Sequence, residues 1–90
     1  AENEIGGLSP IYPNPASAIT CVPIQLRSEL DARVVLRNVM GATIEVIHQG
    51  ILHQGQTKLF FDASNLASGA YVITLELEDG STSSQNVMVK

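Results

Sequence analysis

The sequence predicts one small, soluble, all-β sandwich domain that carries no catalytic machinery. Three observations lead there. Apolar residues recur with a period of two, most cleanly at Tyr71, Ile73, Leu75 and Leu77. Turn residues punctuate the chain every ~8–12 residues. No segment of useful length holds the 3.6-residue period of a helix. Roughly six or seven short strands punctuated in this way make a sandwich or a barrel. Ninety residues make one domain. A chain this short buries about 60–65% of its unfolded surface, so its stability is modest.

Taken in order, Ala1 to Pro10 reads as a linker, rich in Glu, Asn, Gly and Ser with little to bury. It is expected to be mobile and open to proteolysis. Ile11-Tyr12-Pro13-Asn14-Pro15 forces an extended path that then turns. A strand follows over 18–27. Ile19 and Cys21 share one parity and Ile24 and Leu26 the other, which predicts a bulge near Val22-Pro23. Pro23 places this strand at a sheet edge or a bulge, because it has no N–H to donate.

The next strand spans 31–39, with Ala32, Val34 and Leu36 on one face and Arg33, Val35 and Arg37 on the other. Met40-Gly41-Ala42 makes the turn, and Ile44 and Val46 carry the returning strand. Gln49-Gly50 and Gln54-Gly55 bracket a loop holding Ile51 and Leu52. Leu59 and Phe61 alternate with Lys58, Phe60 and Asp62. Tyr71 to Leu77 follows, with Thr74, Glu76 and Glu78 outward. Asp79-Gly80 is a hairpin turn, and the last strand covers 83–90 with Val87 and Val89 inward. These parities predict a core of Ile19, Cys21, Ile24, Leu26, Val34, Leu36, Ile44, Val46, Leu59, Phe61, Leu66, Tyr71, Ile73, Leu75, Val87 and Val89.

Composition excludes several functions. The net charge of −4 argues against nucleic acid and anionic membrane surfaces, both of which need basic residues. No apolar run approaches the ~18 residues of a membrane span. The first residues are acidic and glycine-rich, unlike a signal peptide, so an exported chain would be a fragment of a longer precursor. One cysteine, Cys21, permits no internal disulfide and reads as a small buried hydrophobe. His48 and His53 are the only histidines, too few convergent ligands for a metal site with Cys21. Glu76, Glu78 and Asp79 form a solvated strand face that discourages edge pairing, and they lack a calcium-loop pattern. Scarce aromatics and the absence of Trp disfavour a sugar platform. No cofactor is expected.

The most informative stretch is Asp62 to Tyr71. Asp62 and Ser64 accept backbone N–H groups to hold a tight turn. Leu66 plugs the end of the core and Gly69 frees the corner. Leu66-x-x-Gly69-x-Tyr71 resembles the tyrosine corner of Greek-key sandwiches, where the phenol bonds to upstream backbone. Asp62 and Ser64 do not make a catalytic triad with a histidine, because nothing positions a base.

Several pieces then fall in a specific order: Tyr12-Pro13-Asn14-Pro15, Val34-x-Leu36-x-Asn38-x-x-Gly41, Gly55, Leu59-x-Phe61-Asp62-x-Ser64-x-Leu66-x-x-Gly69-x-Tyr71, Gly80 and Val87-Met88-Val89-Lys90. Together they resemble the type A C-terminal sorting domains of the bacterial type IX (Por) secretion system, over residues 11–90 after a linker of residues 1–10. The chain departs from that family at Asn38, usually Asp, at Ala42, usually Arg or Lys, and at Gln85, often Lys. The resemblance implies a seven-stranded immunoglobulin-like antiparallel sandwich fused to an N-terminal passenger. It implies transit through the periplasm, then secretion across the outer membrane of Bacteroidetes-type bacteria or display at the cell surface. The partners implied are an outer-membrane translocon and a sortase that cleaves near the linker and attaches the passenger to lipopolysaccharide. Neither nucleic acid nor membrane insertion is implied.

Val87, Met88, Val89 and Lys90 are the expected recognition residues, since a receptor can pair with an edge strand at the chain end or clamp the last lysine. The competing reading is an immunoglobulin- or fibronectin-like spacer or adhesion module with the same fold. Position within the precursor separates the two.

Overall fold

Branched and aliphatic residues two apart need a sheet face to bury on. The computed structural model, which describes residues 6–90, supplies two such faces. The strands are β1 (Gly6–Leu8), β2 (Ile19–Leu26), β3 (Leu30–Asn38), β4 (Thr43–Leu52), β5 (Gly55–Asp62), β6 (Gly69–Leu77) and β7 (Thr82–Val89), with one 3₁₀ turn at Ala63–Asn65. One sheet has the order β1-β2-β5 and the other β4-β3-β6-β7, and these neighbouring strands all pair antiparallel. The all-β reading holds.

Between the sheets lie Val22, Ile24 and Leu26 of β2, Ala32, Val34 and Leu36 of β3, Leu52, Phe61, Tyr71, Ile73, Leu75, Leu77, Val87 and Val89. Leu59 and Leu66 pack against them half-buried. The expected core is right at Ile24, Leu26, Val34, Leu36, Phe61, Tyr71, Ile73, Leu75, Val87 and Val89.

The β2 expectation is corrected. Its register with β5 runs unbroken from Ile19 opposite Asp62 to Leu26 opposite Gly55, so no bulge interrupts Val22-Pro23. The core parity is Thr20, Val22, Ile24 and Leu26 throughout. Ile19 therefore faces outward, 61% exposed, and Cys21 is buried on the outer face, apart from the core cluster. Pro23 sits in the central strand of its sheet, where its missing donor does no harm. Its carbonyl accepts from Ser9 N, so its nitrogen faces the interrupted pairing between β1 and Tyr12.

β4 corrects the reading of Ile44 and Val46, each 43% exposed. Val34 lies opposite His48 but Val35 opposite Val46, and Leu36 lies opposite Glu45 but Arg37 opposite Thr43. Ile47 and Ile44 are the extra residues of two bulges. Each bulge reverses strand parity, which sends Val46 to the outer face beside Val35. Ile51 and Leu52, expected in a loop, end β4, and Leu52 enters the core.

Val35, on the outer face, is nonetheless fully buried. Glu76 spans it, meeting Arg33 Nη1 at 3.3 Å and Arg37 Nη2 at 3.4 Å. Of the linker assigned to residues 1–10, residues 1–5 lie outside the described residues. Gly6–Leu8 pairs with Leu26 to Ile24 as β1.

Candidate functional site at the carboxyl-terminal strand

β7 occupies one edge of the four-stranded sheet, and its inner edge pairs with β6, placing Val87 opposite Tyr71 and Val89 opposite Gly69. Alternation decides the side chains. Val87 and Val89 point into the core, 1% and 3% exposed, while Met88 points outward, 50% exposed, and Lys90 is exposed.

The outer edge of β7 is already taken near its end. Met88 N donates to Asn14 Oδ1 at 3.0 Å. Ala16 N donates to Met88 O at 2.7 Å, and Lys90 N donates to Ala16 O at 2.9 Å. Ala16 thus forms a parallel bridge with Val89. The same segment begins in the other sheet, where Tyr12 exchanges both backbone hydrogen bonds with Cys21.

Residues 12–16 therefore make a strap that crosses from one sheet to the other. Ile11 and Ala16 anchor it, 5% and 0% exposed in the core. Tyr12-Pro13 and Asn14-Pro15 are cis peptides, and the Pro13 and Pro15 side chains face solvent. Sequence reasoning read the constrained path of this segment but missed its partner. Ala16 carries no signal in the sequence, and the acceptor role of Asn14 depends on where β7 ends.

The other motif residues sit in turns. Asn38 Oδ1 accepts from Met40 N at 2.9 Å and Ala42 N at 3.0 Å, and Gly41 N donates to Asn38 O at 3.0 Å. Asn38 thus serves the turn in place of the usual aspartate. Gly41 has φ +88°, a region that costs a side-chain-bearing residue about 1–2 kcal/mol. Gly80 closes the β6–β7 hairpin, donating to Leu77 O.

Asp62 Oδ1 accepts from Ser64 Oγ at 2.7 Å and Ser64 N at 2.9 Å. The hydroxyl first, and then the amide, hold the Asp62 carboxyl below its ordinary value. Tyr71 donates its phenol to Ala67 O at 2.7 Å, so the expected tyrosine corner is present. Leu66 lies half-buried at the end of the core, and Gly69 opens β6.

The residues weighed for chemistry are not brought together. Cys21 is in the three-stranded sheet, while His48, on β4, has Nε2 3.2 Å from Gly50 O. His53 has Nδ1 3.0 Å from Glu29 Oε1. Glu76 bridges two arginines, Glu78 accepts from Asp31 N, and Asp79 accepts from Ser81 N. Among the described residues no three His, Cys, Asp or Glu side chains cluster as metal ligands. The arrangement offers surface and backbone for recognition.

A family model described as a secretion system C-terminal sorting domain matches residues 10–90. No curated protein and no solved structure matches the chain significantly.

Proposed function

The chain belongs to the secretion system C-terminal sorting domain family, and from that premise we propose that its last strand is the surface the export machinery reads. As a type IX sorting signal, the domain implies a fused passenger with a secreted or surface fate. The finer steps are part of the proposal. The passenger crosses the periplasm, an outer-membrane translocon of a Bacteroidetes-type cell engages the domain, and a sortase removes it near residues 1–10. We read the sandwich as immunoglobulin-like, which the antiparallel three- and four-stranded sheets and the tyrosine corner support.

The observation that carries the reading is the division of labour in β7. Val87 and Val89 are used by the core, and the backbone of Met88 and Lys90 is used by the strap. A receptor is left with the Met88 and Lys90 side chains, an apolar group beside a cation. In this arrangement Val87 and Val89 contribute by holding Met88 in place.

The test fuses the domain to a reporter and compares the parent with the double variant Met88→Ala/Lys90→Ala, which keeps the backbone bond from Lys90 N to Ala16 O. Exposed side chains contribute within about 0.5 kcal/mol to stability, so the melting temperature stays unchanged while surface export falls. Undiminished export would sink the proposal.

A further inference from the structure

We propose that the free edge of β5 pairs with β5 of a second copy of this chain, forming a twofold dimer through one continuous sheet. This goes beyond the sorting role and does not depend on it.

The edges of the two sheets differ in how they are defended. β4 carries two bulges, which twist an edge away from partners. β7 is capped at its end by Asn14 and Ala16. β1 spans three of the described residues, Gly6–Leu8. β5 is eight residues long and holds an unbroken register with β2.

Its open backbone groups can be identified. The N and O of Cys21 both bond Tyr12, so they face away from β5. Antiparallel bonding alternates along a strand, so β2 bonds β5 through Thr20, Val22, Ile24 and Leu26, opposite Phe61, Leu59, Thr57 and Gly55. Gln56, Lys58 and Phe60 then point their N–H and C=O outward. Among the described residues none of these groups has a backbone partner across the edge.

The side chains of the same residues select the occupant. Phe60 is 57% exposed, with Lys58 and Asp62 exposed on either side of it on the same face. When two β5 strands run antiparallel with Phe60 opposite its own copy, Lys58 falls opposite Asp62 of the second copy, and Asp62 opposite the second Lys58. Two ion pairs flank an aromatic pair, an arrangement of cross-strand partners that stabilises sheets. Asp62 uses Oδ1 for Ser64, which leaves Oδ2 for the lysine. On the inner face the half-buried Leu59 meets Phe61 of the second copy. A lysine on an edge strand ordinarily deters pairing, but here the position opposite it is acidic. The self-complementary patch is what a twofold interface requires.

Sedimentation of the 90-residue chain at rising concentration tests this. The expected mass rises from 9.6 kDa towards twice that value. Lys58→Glu sets two carboxylates opposite one another at both ends and returns the chain to the monomer mass. Asp62→Lys does the same with two cations. Mixing the two variants restores opposite charges at both ends, so a mixed dimer reforms. Circular dichroism of each variant alone establishes that it is folded. Amide exchange reports the edge used: Lys58 and Phe60 gain protection on association, and Ser84 and Asn86 do not. A parent chain that stays monomeric, a folded Lys58→Glu chain that still dimerises, or a mixture that does not reassociate overturns the proposal.

Discussion

At the scale of single residues, Asp62 shows how a turn can set a pH dependence. Its carboxylate accepts from the hydroxyl and the amide of Ser64, and both bonds favour the charged form. The folded pKa therefore lies below the ordinary value of 3.8, and the folded state binds fewer protons than the unfolded chain near that pH. The turn's contribution is complete above pH 3.8 and is lost as pH falls through the lower folded value. Asp62→Asn keeps an acceptor but has no carboxyl to titrate. Urea titrations from neutral pH to below 3.8 are expected to show a shallower loss of stability for the variant than for the parent. Equal slopes would mean that this carboxylate does not carry the dependence. The motif was legible because an Asp two residues before a Ser names its own partner locally. Cys21 was only half legible. Its burial was read correctly, but its face was not, because that face depends on the strand beside it.

At the scale of elements, the strap over residues 12–16 governs whether β7 is an open edge. An open edge strand invites pairing, and here Asn14 Oδ1 stands in for a backbone carbonyl toward Met88 N. Asn14→Ala removes that acceptor and leaves the backbone bonds of Ala16 in place. Hydrogen exchange at the Met88 amide should accelerate, at a cost to stability of about 1 kcal/mol. An unchanged Met88 exchange rate would show that the side chain does not close this edge. β4 teaches a related lesson. Its apolar residues Ile44, Val46, Leu52 share a parity with a core strand, yet two bulges divide them. A bulge is a relation between two strands, so residues 43–52 alone do not announce it.

At the scale of the whole molecule, a small sandwich has little stability in reserve. Native domains hold about 5–15 kcal/mol in total, and the core here is a single layer between two sheets. Leu75 sits at its centre, fully buried on β6 opposite Val34. Leu75→Ala removes transferred surface and leaves a cavity, a loss of about 2–5 kcal/mol that consumes a large part of the total. Chemical denaturation measures it, and a loss under ~1 kcal/mol would put Leu75 on the wrong face. The same economy is visible in β7, where residues one apart face the core and the solvent alternately.

The sequence by itself determined the strand class, the positions of β2, β3, β5, β6 and β7 to within a few residues and the start of β4, the turns at Asn38–Gly41, Asp62–Ser64 and Asp79–Gly80, the tyrosine corner and the family. These rest on period, local side-chain bonds and ordered motifs, all of which are written along the chain. Only the tertiary structure decided that Gly6–Leu8 joins a sheet, that Ile19, Ile44 and Val46 face outward, that Asn14 and Ala16 close the end of β7, and that β5 keeps a free edge. The physical reason is common to them. Strand register and edge occupancy are set by hydrogen bonds between residues far apart in sequence, and a one-residue shift in either strand exchanges every inward side chain for an outward one.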